Sequence, residues 1–177
     1  MAIEPTPKHL NELLVLLCDR RLSNEEAAPM VDRALLALDD PAAYINDYPD
    51  DEWLVEGHDL EASHAGSIRL LQWIVFDELQ PWLTCGEKPD EVAERVIDRL
   101  IEDGIAVNDP PPLSTLEDYR CYLNEQLGAL DGEHGPKELV EFDTGLIDDV
   151  GFFVVNKGDV ARITELAGVF KLRINAA

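Results

Sequence analysis

The residues best suited to chemistry lie in one run, His58-Asp59-Leu60-Glu61-Ala62-Ser63-His64. Two imidazoles and two carboxylates within seven residues are donor types that hold a divalent metal ion. The spacing works against that use. His58 and His64 stand six apart, whereas two ligands on one helical face stand three or four apart, and the run is not HExxH. A polar loop that closes in a helix N-cap at Ser63 or Asp59 accounts for the same residues. A small metal-dependent hydrolase using His58 and His64 therefore stands only as an alternative.

Asp143, Asp148 and Asp149 flank a predicted strand connection. Clustered carboxylates bind Mg²⁺ or Ca²⁺, or form an acid/base pair when their pKa values separate. Turn chemistry explains them more cheaply, because Asp is favoured at strand ends and turns. The cysteines, Cys18, Cys85 and Cys121, are odd in number and widely spaced, with no CxxC, which argues against disulfides and zinc. Cys18 ends an apolar helical stripe, and Cys85 precedes Gly86 in a predicted loop with no His nearby. No GxGxxG, GxxxxGK[ST] or GxSxG occurs. His134 belongs to a loop, and Trp73 and Trp82 fit core positions of a helix. The sequence assigns no catalytic residue, no metal and no cofactor.

Charge is the stronger signal. The 177 residues include 37 Asp and Glu against 14 Lys and Arg, a net charge of −23, with 46% hydrophobic residues. So acidic a surface repels phosphate, which excludes nucleic acid and anionic membranes as partners. The apolar fraction is too high for a disordered acidic tail. The charge is also uneven. No Lys or Arg lies between Arg33 and Arg69, a window that holds nine carboxylates beginning at Asp39 and Asp40. Tyr44, Tyr48 and Trp53 are interleaved with them. Asp47, Tyr48, Asp50, Asp51, Glu52, Trp53, Glu56, Asp59 and Glu61 form a candidate surface for a basic protein partner. Complementary charge speeds encounter and aromatics anchor it, as in immunity proteins, antitoxins and nuclease inhibitors. The competing reading is a solvated face with Trp53 folded back onto the core. Only five of the 14 cations are lysines, which also suits a high-salt cytoplasm. A smaller gap lies between Lys137 and Lys157.

The N-terminus has no basic start followed by an apolar core, so no secretory signal is expected. The longest apolar stretches, 13–17 and 70–76, fall far short of the roughly 18 residues a spanning helix needs. A cytoplasmic location follows.

These residues must be positioned by elements that periodicity predicts. Leu10, Leu13, Leu14 and Leu17 mark one stripe of a helix over 8–21, with Arg20 and Arg21 in its last turn. Ser23 and Glu26 form a capping box for a helix over 24–38, in which Pro29 marks a kink or the true first turn. A short helix to about Asn46 precedes a loop over 47–61. A helix from about 60 or 63 to Trp82 is apolar on most sides and is expected to be central, or to reach a dimer interface in a structural homo-oligomer. An amphipathic helix over 89–103 turns Val92, Val96, Ile97, Leu100 and Ile101 inward. Asp109-Pro110-Pro111-Pro112 is a stiff connector. Ser114 and Glu117 cap a helix to about 127 or 130.

The period then changes to that of strands, at 139–142 and 151–156. The second is apolar throughout and so is expected to be covered on both faces. Residues 144–149 connect them as a hairpin. A helix over 159–168 and a third strand over 169–174 follow. Helices first, then strand–strand–helix–strand, predicts an α+β fold in one domain over 1–177, with a helical part of about 8–130 packed on a sheet module of about 137–175.

From about Gly128 the chain resembles an uncharacterised bacterial family of small cytosolic proteins, a domain of unknown function. The residues that carry this are Leu139-Val140-Glu141-Phe142-Asp143-Thr144-Gly145, Phe152-Phe153-Val154-Val155 and Asp159-Val160-Ala161-Arg162-Ile163-Thr164-Glu165-Leu166-Ala167. The resemblance implies a fold, an acidic strand followed by an apolar strand and a short closing helix. It implies no activity and no catalytic residue.

Overall fold

The computed structural model describes residues 4–56, 65–86, 88–131, 134–143 and 150–176. Seven α-helices and four strands make up the described part. In chain order they are α1 (Pro7–Leu17), α2 (Asn24–Asp39), α3 (Pro41–Asp47), α4 (Ala65–Glu78), β1 (Leu83–Gly86), α5 (Pro89–Glu102), α6 (Leu116–Gly128), β2 (Lys137–Asp143), β3 (Val150–Asn156), α7 (Val160–Phe170) and β4 (Ile174–Asn175). A 3-10 helix, Pro49–Val55, joins the α3 region towards α4. The α+β class expected from the element order holds.

The four strands form one antiparallel sheet in the order β1-β3-β2-β4. Alternation sends Leu139, Phe152 and Val154 to one face and Val140, Phe142, Phe153 and Val155 to the other. The first set packs with α5 and α6. The second packs with α1, α2, α4 and α7. The sheet is therefore the middle of three layers. This explains why β3, inside the sheet and covered on both faces, is apolar without a break. Phe142 and Phe153 meet edge to face at 5.9 Å. Gly151 lies opposite Phe142 on β2 and Cys85 on β1, and a Cβ there would sit 2.7 Å from the Leu83 side chain. The sheet closes at that point only around glycine.

Several expectations need correction. Helix α1 stops at Leu17, because Asp19 (φ 52°) and Arg20 (φ 61°) take left-handed backbone. Arg20 and Arg21 accordingly do not serve the helix dipole. Arg20 pairs with Asp159 at 2.7 Å and Arg21 with Asp103 at 2.6 Å. The chain reversal also brings Asp19 to Lys137 at 2.5 Å, tying the end of α1 to β2. Helix α2 starts at its Ser23 capping box, and Pro29 sits inside it, exposed. Residues expected to be loop hold the 3-10 helix, whose period of three matches neither helix nor strand patterning. Helix α4 ends at Glu78 rather than Trp82, and a turn over 79–82 leads into β1. The sheet thus draws a strand from the helical part. Ile101, expected inward, is 61% exposed. The cap of α6 is Thr115, one residue later than expected, accepting from the Asp118 N–H at 3.1 Å. The last strand is only Ile174–Asn175. The expected 144–149 connection lies outside the described residues.

Candidate functional site

Beneath the acidic segment lies a half-buried cation. Arg33, on α2, is the last base before the long gap. Its Nη1 donates to Asp77 at 2.9 Å and to Glu78 at 2.7 Å, both at the end of α4. Its Nη2 donates to the Tyr44 hydroxyl at 3.0 Å and to Asp51 at 3.2 Å. Tyr44, on α3, is fully buried and donates its own hydroxyl to Asp51 Oδ2 at 2.5 Å. Trp73, on α4, donates from Nε1 to Asp51 Oδ1 at 3.0 Å. Four elements are thus fastened at one carboxylate and one guanidinium. A planar fork of five N–H donors suits this many-partnered role better than an ammonium does.

The aromatics continue the arrangement outward. Tyr48 stacks on Tyr44 at 4.7 Å, and the Arg33 guanidinium carbon lies 4.8 Å from the Tyr48 ring centre. Trp53 meets Trp73 edge to face at 5.6 Å. Burial opposes the charge of Arg33, but hydrogen bonds to Glu78, Asp77 and Tyr44 outweigh it and hold the guanidinium protonated beyond its ordinary strength. Burial and the adjacent Asp51 push the Tyr44 phenol up, so it stays neutral and donates.

The candidate surface divides accordingly. The three-residue period of the 3-10 helix turns Asp51 and Leu54 inward and leaves Asp50 and Trp53 outward. Asp51 is 8% exposed and structural, a correction to its place on the partner surface. Asp47, Tyr48, Asp50, Glu52, Trp53 and Glu56 are exposed. Tyr48 and Trp53 are two of three large hydrophobic side chains exposed among the described residues. Asp59 and Glu61 lie outside the described residues, as do His58 and His64. Sequence reasoning did not assign roles to Arg33, Asp77 and Glu78. The available signal was that Arg33 borders the charge gap one helical turn from buried Ala37.

The other candidates carry less. Asp143 pairs with Arg173 at 3.3 Å, while Asp148 and Asp149 lie outside the described residues. Among the described residues, no group of three or more His, Cys, Asp or Glu is placed to hold a metal ion. Burial pushes the Cys18 thiol up to about 12. Burial and Glu117 also raise Cys121. Neither is an activated nucleophile. The apolar residues of α4 pack within the chain, against α2 and the 3-10 helix. No described helix is long and apolar enough to cross a membrane.

Comparison with curated proteins finds no match, and comparison with solved structures finds none. A protein family does match, over residues 9–177, and it is described as a domain of unknown function, DUF6630. The match extends well beyond the C-terminal third that carried the sequence resemblance and takes in α2, α3 and the 3-10 helix of the candidate surface. The chain belongs to this family.

Proposed function

We propose that the chain is a non-enzymatic binding protein whose surface around Asp47, Tyr48, Asp50, Glu52, Trp53 and Glu56 receives a basic protein partner. The observation that carries this reading is the exposure of Tyr48 and Trp53 among carboxylates, when most other large apolar side chains are buried. Aromatic anchors ringed by charge are the composition of energetic centres in interfaces. The Arg33 network supports the reading by holding the surface rigid, which lowers the ordering cost of binding. The net charge of −23 favours a basic partner over nucleic acid. A regulatory or immunity-type role in the cytosol, covering a basic toxin or nuclease, fits this chemistry.

The test is affinity capture from the source cell at low and high salt, with wild type beside a Tyr48→Ala/Trp53→Ala variant. A basic protein retained at low salt by wild type and lost with the variant supports the reading. Capture that is indifferent to both salt and variant would falsify it.

A further inference from the structure

Four helix ends meet at a second surface, which shares no residue with the Arg33 network. They are the start of α1, the last turn of α2, the first turn of α4 and the end of α7. Between them lies a groove of about 370 Å³. Small-molecule sites span roughly 300–1,000 Å³. Leu35 and Leu38 from α2, Ile68 from α4 and Val169 from α7 line it and are each half-buried, beside the buried Phe170. Four aliphatic side chains from three helices therefore leave part of their area to water at one place. Of the nine lining residues, only Asp39 and Lys171 are charged.

Those two charges are opposite in sign, and both side chains are exposed. Asp39 is the last residue of α2. Lys171 caps α7 with a left-handed φ of 56°. Glycine is the usual residue at such a helix end, because it has no Cβ to crowd the left-handed backbone. Here the position holds an ammonium instead. Lys171 and Asp39 line one groove, yet they form no ion pair with each other or with any other described residue. The groove thus presents one cation, one anion and an aliphatic lining, each without a counterpart in the chain.

We infer that this groove binds a free aliphatic α-amino acid of the leucine class. Its side chain lies among Leu35, Leu38, Ile68 and Val169, its carboxylate meets Lys171 and its ammonium meets Asp39. Charge complementarity selects this occupant. A fatty acid answers the aliphatic lining and Lys171 but sets its carboxylate against Asp39. An alkyl amine answers Asp39 and is repelled by Lys171. A second copy of the chain brings a further −23 and a surface that is mostly carboxylate. Only a zwitterion with an apolar side chain satisfies all three features. An apolar pocket with a few polar groups that fix orientation is the common form of a small-ligand site. The inference stands on residues separate from those of the proposed function.

The probe is L-leucine, titrated into the full chain and followed by methyl NMR. The expected result is saturable movement of the Leu38, Ile68 and Val169 methyl signals, with a dissociation constant on the order of 0.1 mM. Isocaproate, which lacks the ammonium, and isoamylamine, which lacks the carboxylate, bind at least about tenfold more weakly. Affinity for leucine falls about tenfold in Lys171→Gln and in Asp39→Asn, both at exposed positions where folding is preserved. The Tyr48→Ala/Trp53→Ala variant binds leucine as wild type does. Four results each overturn the inference. They are unmoved methyl signals, binding of isocaproate or isoamylamine as tight as that of leucine, unchanged affinity in both charge variants, and leucine binding only after removal of residues 1–3, which assigns the groove to the chain's own N-terminal residues.

Discussion

The Tyr44 hydroxyl donates to Asp51 at 2.5 Å, and this bond turns one carboxylate of an acidic segment into a structural post. Its other oxygen accepts from Trp73, so both oxygens of Asp51 are engaged inside the protein. The acids on either side of it, Asp50 and Glu52, face water. One short segment therefore carries both the scaffold and the surface.

Asp51→Ala strands the Tyr44 hydroxyl and the Trp73 N–H and removes a partner of Arg33. The expected loss of stability is about 2–4 kcal/mol. Asp50→Ala should stay within about 0.5 kcal/mol of wild type. Urea unfolding measures both, and equal losses would contradict the division between inward and outward acids.

Trp53→Ala removes an edge-to-face contact with Trp73 at a half-exposed site, costing about 1 kcal/mol. Binding of a basic partner should weaken by about tenfold or more, because a central aromatic anchor is lost. Calorimetric titration separates the two effects. A stability loss with unchanged affinity would make Trp53 a packing residue only.

Arg33→Lys keeps the charge but loses the fork that reaches Tyr44, Asp51, Asp77 and Glu78 together. Stability should fall by about 2 kcal/mol, and near-ultraviolet circular dichroism of the Tyr44, Tyr48 and Trp73 cluster should change with it. A variant as stable as wild type, with the same aromatic spectrum, would show that any cation suffices there.

Acid should expose three cross-links. Arg162 holds Glu12 below its ordinary 4.5, and Arg20 holds Asp159 below its ordinary 3.8. Asp103 is raised by burial, but Arg21 and Arg99 together pull it below 3.8. A carboxylate held lower in the folded state contributes stability that is present above its unfolded pKa and lost as pH falls through its folded one. The stabilising contribution of these groups is therefore present above their ordinary values of 4.5 and 3.8 and is lost as pH falls through their lower folded values. Denaturant midpoints across this range should fall more steeply for wild type than for Glu12→Gln/Asp159→Asn. Parallel curves would refute the assignment.

Asn124 guards an open edge. Its Oδ1 accepts from the Leu139 N–H at 2.7 Å, on the stretch of β2 that β4 is too short to cover. Asn124→Ala should cost about 1 kcal/mol and leave that N–H available for another strand. Hydrogen exchange at Leu139 should speed up while that at Phe153, inside the sheet, stays slow. Unchanged protection at Leu139 would mean that another group shields the edge.

Much of the fold was legible because helices are written in local periodicity. The Leu10–Leu17 stripe, the Ser23 capping box and the alternation around Phe142 and Phe153 each declare themselves within a few residues. What escaped depends on partners far along the chain. Strand β1 is Leu-Thr-Cys-Gly, too short to show alternation, and is a strand only because β3, more than sixty residues later, offers it hydrogen bonds. Ile101 satisfies the inward helical spacing and is exposed because α6 and the proline connector leave that end of α5 open.

The candidate site divides in the same way. Composition and the gap after Arg33 located the acidic aromatic segment, since charge and aromatic content are properties of residue type. Which acids face water was decided by the tertiary structure alone. Asp50, Asp51 and Glu52 are adjacent and chemically alike. Only Asp51 meets a phenol from α3, an indole from α4 and a guanidinium from α2, and donors converging from three helices leave no trace in the local order of the chain.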